Sequence, residues 1–224
     1  MKIINSIFAI FYREYKITFR NIYDVLTILI FFILGILIFV FSIGPNKEIF
    51  NNISTGIIWT LLLLSTNLSI DKFYKNDFKD GNIILYNMSG LSFELIVLIK
   101  IISMWLFFQL PFIIIIPLGS LILNIDSNKI FSSLCVFLLS SPILTMLASI
   151  SGSLNLLNTR NFAISSIIVM ILSIPLIIFS VSLINSPEEL FKPQINILIS
   201  ILLIFLAITP WVSAASIKLS IRNT

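Results

Sequence analysis

The sequence contains no histidine and a single cysteine, Cys135. One cysteine cannot form a disulfide within the chain, and neither a Cys/His zinc site nor a histidine-ligated haem can be built from these residues. No glycine is followed by lysine, so the phosphate-binding motif G-x-x-x-x-G-K-[ST] is absent. We therefore predict no metal site, no catalytic site and no ATP site in this chain.

Charged residues are also scarce. They make up 11% of the 224 residues, whereas 58% are hydrophobic. Soluble domains are roughly 25% charged and roughly 45–50% apolar, so lipid must be the solvent for most of this chain. The composition excludes a large soluble catalytic domain and predicts one all-α polytopic membrane domain over residues 1–224. In such a protein the net charge of +4 relates to topology and lipid headgroups, and no nucleic-acid partner is expected.

Six hydrophobic runs are long enough to cross a bilayer, which takes roughly 20 helical residues. The predicted spans are about 22–43, 53–70, 95–123, 130–150, 162–184 and 195–217. Residues 1–20 instead show apolar side chains at helical spacing, interrupted by Arg13 and Glu14. This pattern predicts an amphipathic helix in the headgroup plane rather than a cleavable signal peptide. Trp59, at the start of its span, is expected in the interfacial aromatic belt.

Basic residues are distributed unequally among the segments outside the spans. Ten lie in the N-terminal segment, residues 71–94, residues 151–161 and the C-terminus, against three in the other loops. Lys100 is left out, because we expect it at the interface with its amine reaching water. The positive-inside rule then predicts that both termini are cytoplasmic, in a bacterial inner membrane or alternatively a mitochondrial inner membrane.

The predicted spans contain almost no ionisable residues, although an ion-coupled transporter needs such groups near the midplane. Any energy must then come from a partner protein. The candidate contact is the inside segment 71–90, where Asp71 can cap a short helix and Gly81 can end it. Phe73, Tyr74 and Phe78 lie there among alternating acids and bases, which suits docking into a groove on another protein. The alternative is an ordinary solvated loop with its aromatic side chains at the membrane interface.

A series of short motifs, taken in order, resembles the CcmB family, the permease subunits of the ABC transporter for cytochrome c maturation. The residues that carry the resemblance are Ser42, Gly44, Pro45, Gly56, Trp59, Asp80, Gly81, Pro111, Pro117, Pro175 and Pro210. The resemblance implies an ABC-2-type architecture with an interfacial helix, six spans and a coupling helix between the second and third spans. The implied contacts with the ATPase are Asp71, Phe73, Tyr74, Asp77, Phe78, Asp80 and Gly81.

The same resemblance implies the partners and the task of the chain. The partners would be an ATPase (the A subunit) that binds ATP, a haem-handling membrane subunit (the C subunit), a small D subunit, a second copy of the chain and the lipid bilayer. ATP hydrolysis would drive haem export or release of a haem-loaded chaperone, with haem handled by the partners and no cofactor bound by this chain. An ABC-2 permease for a lipid, glycan or drug, and a non-transporting membrane scaffold, remain alternatives.

Overall fold

The computed structural model describes residues 2–44, 46–70, 73–88, 90–157 and 162–222. Every regular element in these ranges is a helix, which confirms the predicted all-α class. In chain order the helices are α1 (Lys2–Arg20), α2 (Ile22–Ile43), α3 (Lys47–Ser69), α4 (Lys75–Lys79), α5 (Asn82–Met88), α6 (Phe93–Met104), a π-helical turn (Trp105–Gln109), α7 (Phe112–Ile122), α8 (Ser127–Leu157), α9 (Phe162–Asn185) and α10 (Glu188–Arg222).

Within the described ranges, six helices are long and apolar enough to cross a membrane: α2, α3, the combined α6–α7, α8, α9 and α10. This number confirms the prediction of a six-span polytopic protein. α3 begins at Lys47, ahead of the hydrophobic run, because the side chain of Asn46 caps it and accepts a hydrogen bond from the backbone N–H of Ile49 at 3.3 Å. α3 is an interior helix, and Trp59 on it is 2% exposed. The prediction of an interfacial Trp59 is therefore wrong.

α1 lies against α6 and presents three different faces. The face towards the bundle contains Ile10 and Thr18, with Glu14 between them. Another face is polar and contains Lys16 and Arg20, which are exposed. The third face is an exposed apolar stripe suited to contact with lipid. It consists of Ile4, Phe8, Tyr12, Tyr15 and Phe19.

The third span changes its hydrogen-bonding pattern halfway along. The backbone N–H of Leu110 bonds the carbonyl oxygen of Trp105, five residues earlier, at 3.0 Å. Pro111 follows and has no N–H to donate. The next backbone bonds connect Ile113 to Leu110 and Ile114 to Pro111, each over three residues. The third span therefore consists of two α-helical halves, α6 and α7, which are joined by an irregular turn.

Gly152 of α8 lies directly against the chain that leads into α4. A Cβ atom at this position would be 3.0 Å from the carbonyl oxygen of Ile70 and 3.1 Å from the Cβ of Phe73. Neither neighbour is the flexible end of a side chain, so any larger residue would have to push the two segments apart. The lack of a side chain at Gly152 allows Phe73 and Tyr74 to pack inside the bundle, where both are 1% exposed.

We predict that Gly152→Ala lowers the free energy of unfolding by about 1–3 kcal/mol, because the added methyl group overpacks this contact. The matched control is Gly56→Ala in α3, where a Cβ would meet nothing within 4 Å. That change should be neutral or stabilising by about 0.5–1 kcal/mol, since alanine favours helix. Thermal unfolding of both variants in detergent measures the difference, and equal shifts of the midpoint would contradict the close contact.

Candidate functional site

An ionic cluster joins four helices, α1, α4, α5 and α6, at the end of the bundle that holds α1 and α4. It consists of Arg13, Glu14, Asp77, Tyr86 and Lys100. Lys100, from α6, is its centre and is 2% exposed. Its Nζ donates to Oε1 of Glu14 at 3.1 Å and also to Oδ2 of Asp77. A single ammonium group therefore neutralises carboxylates from two other helices.

Arg13 of α1 is the second cation of the cluster. Its Nη2 donates to Oδ1 of Asp77 at 2.6 Å, and its Nη1 donates to Oε1 of Glu14 at 2.9 Å and to the hydroxyl of Tyr86. The Tyr86 hydroxyl in turn donates to Glu14 at 3.3 Å. Two cations and two carboxylates thus balance, which is the condition for burying charge.

The surroundings favour the charged forms of Asp77 and Arg13. Burial by itself would raise the pKa of Asp77, but the charges of Lys100 and Arg13 and their hydrogen bonds outweigh it, so this pKa lies below its ordinary value. Burial likewise lowers the pKa of Arg13, yet the bond and charge of Asp77 raise it overall. Burial raises the pKa of the Tyr86 phenol, which stays protonated. Asp77 and Arg13 therefore stay charged near neutral pH.

The expectation that the Lys100 amine reaches water is wrong, and so is the expectation that ionisable groups are nearly absent from the interior. The physical reason is that Glu14 and Asp77 come within hydrogen-bonding distance of the amine and replace its water. The sequence held one signal of this. Glu14 lies at helical spacing with Ile7, Ile10 and Phe11, on the apolar side of α1. An acid on that side requires a buried cation.

α4 is anchored to the bundle through the residues just before it. The buried hydroxyl of Tyr74 is 2.7 Å from the hydroxyl of Ser149 in α8, which is 3.3 Å from that of Ser213 in α10. Burial raises the pKa of Tyr74 to about 12, so the phenol stays neutral. The Nζ of Lys100 lies 5.7 Å from the centre of the Tyr74 ring. The entry to α4 therefore contacts both the ionic cluster and the opposite side of the bundle.

The structure separates the predicted docking residues into two groups. Phe73, Tyr74 and Asp77 are buried in contacts with this chain's own helices. Asp71 lies outside the described residues, and Tyr74 occupies the position before α4 without a capping side-chain bond. The surface group, which we call the exposed face of α4, is half-buried at two positions and exposed at the other three. It comprises the predicted residues Phe78, Asp80 and Gly81, together with their neighbours Asn76 and Lys79, which are outside the predicted set.

Gly81 ends the α4 turn as the sequence predicted. Its φ is +73°, a left-handed conformation that favours glycine. Its N–H bonds the carbonyl oxygen of Phe78 at 3.2 Å. Asp80, immediately before it, is exposed. This turn fixes the direction in which the exposed face of α4 points.

A polar cavity of about 400 Å³ adjoins the ionic cluster. It lies between α1, the start of α2, α4 and the third span, on a different face of α1 from the apolar stripe. The positive and negative side chains that line the cavity are equal in number. Water or a polar side chain from a partner protein therefore fits the cavity better than an acyl chain does. The charged and amide residues around it, besides the cluster, are Arg20, Asn21, Asp24, Asn76, Lys79 and Asp80. In the part of the chain that the structure describes, no group of three or more His, Cys, Asp or Glu residues could hold a metal ion.

The other residues that carry the family resemblance are distributed along the chain. Trp59, already located in α3, is one of them, and Pro45 lies outside the described residues. The remaining positions are Ser42 in α2, Gly44 just after it, Gly56 in α3, Pro111 after the π-helical turn, Pro117 in α7, Pro175 in α9 and Pro210 in α10. Gly44 has a φ of +72° and donates its N–H to Val40 at 3.1 Å, so it ends α2.

Six apolar helices with an interior ionic cluster define the chain as a multi-pass helical membrane protein. The family described as "CcmB protein" matches it over residues 5–220, and the chain belongs to this family. Similar curated proteins are bacterial and carry the name "Heme exporter protein B". The protein from Haemophilus influenzae is 28% identical over 94% of this chain and 96% of its own length. Those from Pseudomonas aeruginosa and Escherichia coli K12 are 27% and 29% identical, over 93% and 95% of this chain and 95% and 98% of their own lengths. The chain is a multi-pass protein of a bacterial inner membrane.

We predict that Asp77→Asn lowers the free energy of unfolding by about 3–5 kcal/mol at neutral pH, because it leaves two cations around one carboxylate. The pKa of Asp77 is depressed in the folded state, so its contribution is complete above the ordinary value of 3.8 and is lost as the pH falls through the folded-state pKa. The difference between wild type and variant should therefore be constant from about pH 8 to about pH 5 and shrink only in stronger acid.

The control for this prediction is Asp80→Asn, the same substitution at an exposed carboxylate of the same turn. It should change stability by less than about 0.5 kcal/mol. Thermal unfolding in detergent at several pH values measures both variants. A variant of Asp77 as stable as that of Asp80 would contradict the buried ion pairs.

Proposed function

We propose that this chain is the membrane-spanning permease subunit of an ABC-type haem exporter that serves cytochrome c maturation. It contains no ATP site of its own and is driven by ATP hydrolysis in a partner ATPase. The name shared by its relatives supports haem export, and those relatives align with almost its whole length. The chain is accordingly a transporter subunit and not a catalytic enzyme.

The observation that carries the coupling proposal is the two-sided character of α4. One side is fixed by the ionic cluster and by Tyr74, and the other, the exposed face of α4, offers Phe78 between charged residues. A partially exposed aromatic residue with a polar rim is typical of a docking contact. A partner that binds this face can move α4 only together with the helices to which it is anchored.

The orientation of the chain fits this proposal. The ionic cluster brings α1 and α4 to the same end of the bundle. Basic residues are concentrated in the segments of that end, including Lys16, Arg20 and Lys79. On the positive-inside rule we propose that this end lies in the cytoplasm, where ATP is available, together with both termini.

Haem handling is assigned to partner subunits, because the sequence offers no histidine to ligate haem iron. We propose that the A subunit hydrolyses ATP, that the C subunit handles haem, and that a small D subunit and a second copy of this chain complete the complex. The output is haem export or release of a haem-loaded chaperone at the outer face of the membrane.

We predict that replacing Phe78 and Asp80 together by alanine uncouples ATP hydrolysis from cytochrome c assembly and leaves the spans folded. Both residues belong to the exposed face of α4, so the change removes the docking contact without opening the ionic cluster. The measurements are c-type cytochrome content, co-purification of the ATPase and thermal unfolding. We expect a loss of about tenfold or more in cytochrome, as for loss of a central docking anchor.

The control is Lys218→Ala, which removes another partly exposed charge and its 2.7 Å ion pair with Glu94. It should mature cytochrome c normally, because surface ion pairs contribute little. If the double variant also matures cytochrome c normally, docking at this face is disproved. Deletion of the gene distinguishes the candidate substrates. Loss of c-type cytochromes with other exports intact supports haem. Loss of another export with c-type cytochromes intact supports a lipid, glycan or drug.

A further inference from the structure

We infer that Lys100 is a positioning residue for coupling: it makes α1, α4 and α6 one rigid unit, which pivots at the π-helical turn Trp105–Gln109. The inference rests on the proposed function for the source of the motion. Its geometry comes from two separate features of the third span, the buried ammonium group in its first half and the irregular turn that follows.

The first step is that Lys100 holds the three helices in one relative position. Each oxygen of the Asp77 carboxylate binds a different helix, because Oδ1 accepts from Arg13 of α1 and Oδ2 accepts from Lys100 of α6. Glu14 of α1 binds Lys100 as well. Any sliding of one helix past another would separate opposite charges in a poorly solvated interior, where their attraction is strong. The three helices therefore move together.

The second step concerns which cation matters more for rigidity. The side chain of Arg13 is 31% exposed at the edge of the polar cavity, so water can replace its partners. The side chain of Lys100 also borders this cavity, but it is only 2% exposed. Loss of Arg13 can be compensated by hydration, whereas loss of Lys100 leaves buried carboxylates. Lys100 is therefore the residue that holds the three helices of the unit together.

The third step is that the third span can bend just beyond Lys100. At the π-helical turn the regular bonding pattern is broken, and Pro111 withholds the N–H that a helix would use. Gln109 on this turn is 3% exposed, and its Nε2 donates to Thr66 of α3 at 2.8 Å. Its Oε1 has no partner among the described residues. A buried amide that is satisfied on one side only allows an alternative arrangement, as expected at a pivot.

The test uses spin labels on the full complex with its ATPase in lipid nanodiscs, in a Cys135→Ala background. Labels replace three exposed residues: Tyr12 on α1, Lys75 on α4, and Leu121 on α7. The Tyr12–Lys75 distance should be the same with and without trapped nucleotide. The Tyr12–Leu121 distance should shift, because it crosses the pivot. Equal shifts of both distances would overturn the rigid unit.

Lys100→Met should widen the Tyr12–Lys75 distance distribution, retain ATP hydrolysis and lower c-type cytochrome about tenfold or more. Lys100→Arg keeps the positive charge and should restore a narrow distribution and most of the cytochrome. Lys218→Met, at the exposed ion pair with Glu94, should leave all readouts unchanged. A distribution as narrow in Lys100→Met as in wild type would overturn the inference.

Two arms keep the outcome interpretable. If Lys100→Met does not fold, the triple variant with Glu14→Gln and Asp77→Asn removes the two carboxylates as well and should fold with the widened distribution; a narrow distribution there overturns the inference. If trapped nucleotide changes neither label distance in the wild-type complex, the proposed coupling to the ATPase is disproved, and so is the pivot. The comparison of wild type with Lys100→Met without nucleotide then still decides whether Lys100 closes the unit.

Discussion

A buried lysine in an apolar bundle is the constraint on which one whole end of this protein depends. Desolvating an ammonium group costs several kcal/mol even after relaxation, so Lys100 can occupy its position only with carboxylates at hydrogen-bonding distance. Glu14 and Asp77 provide them from helices that are far apart in the chain. Satisfying this one charge helps to pack α1 on α6 and to attach α4, and the same residues line one side of the polar cavity between them.

α4 shows why such attachment is needed. A helix of five residues is not stable by itself, because nucleation fixes several residues before any hydrogen bond forms. Its order comes from Asp77 in the ionic cluster, from Tyr74 bonded to Ser149, and from the close approach to Gly152. The result is a short surface element that is held from two sides. A force applied to its exposed face reaches the interior without a flexible linker.

Hydropathy and turn chemistry were sufficient to predict the six-span all-α fold and the left-handed turn at Gly81, because both depend on local composition. The errors at Lys100 and Trp59 have a common origin. Sequence reasoning evaluates each side chain against water or lipid, and here the relevant environment is other parts of the chain. Glu14 is 86 positions from its partner, and only its place among apolar residues indicated burial. The docking role of Phe78 and Asp80 stays a prediction.

Charged contacts suit transmission of motion better than apolar ones of the same size. Apolar side chains can slide across one another at little cost, since dispersion is non-directional and is regained in the new position. An ion pair with fixed hydrogen-bond geometry resists such sliding, because each displacement separates charge in a poor solvent. Replacing the cluster by well-packed apolar residues can preserve or even raise stability. We expect that exchange to weaken coupling, so the cluster is better explained by its directionality than by its contribution to stability.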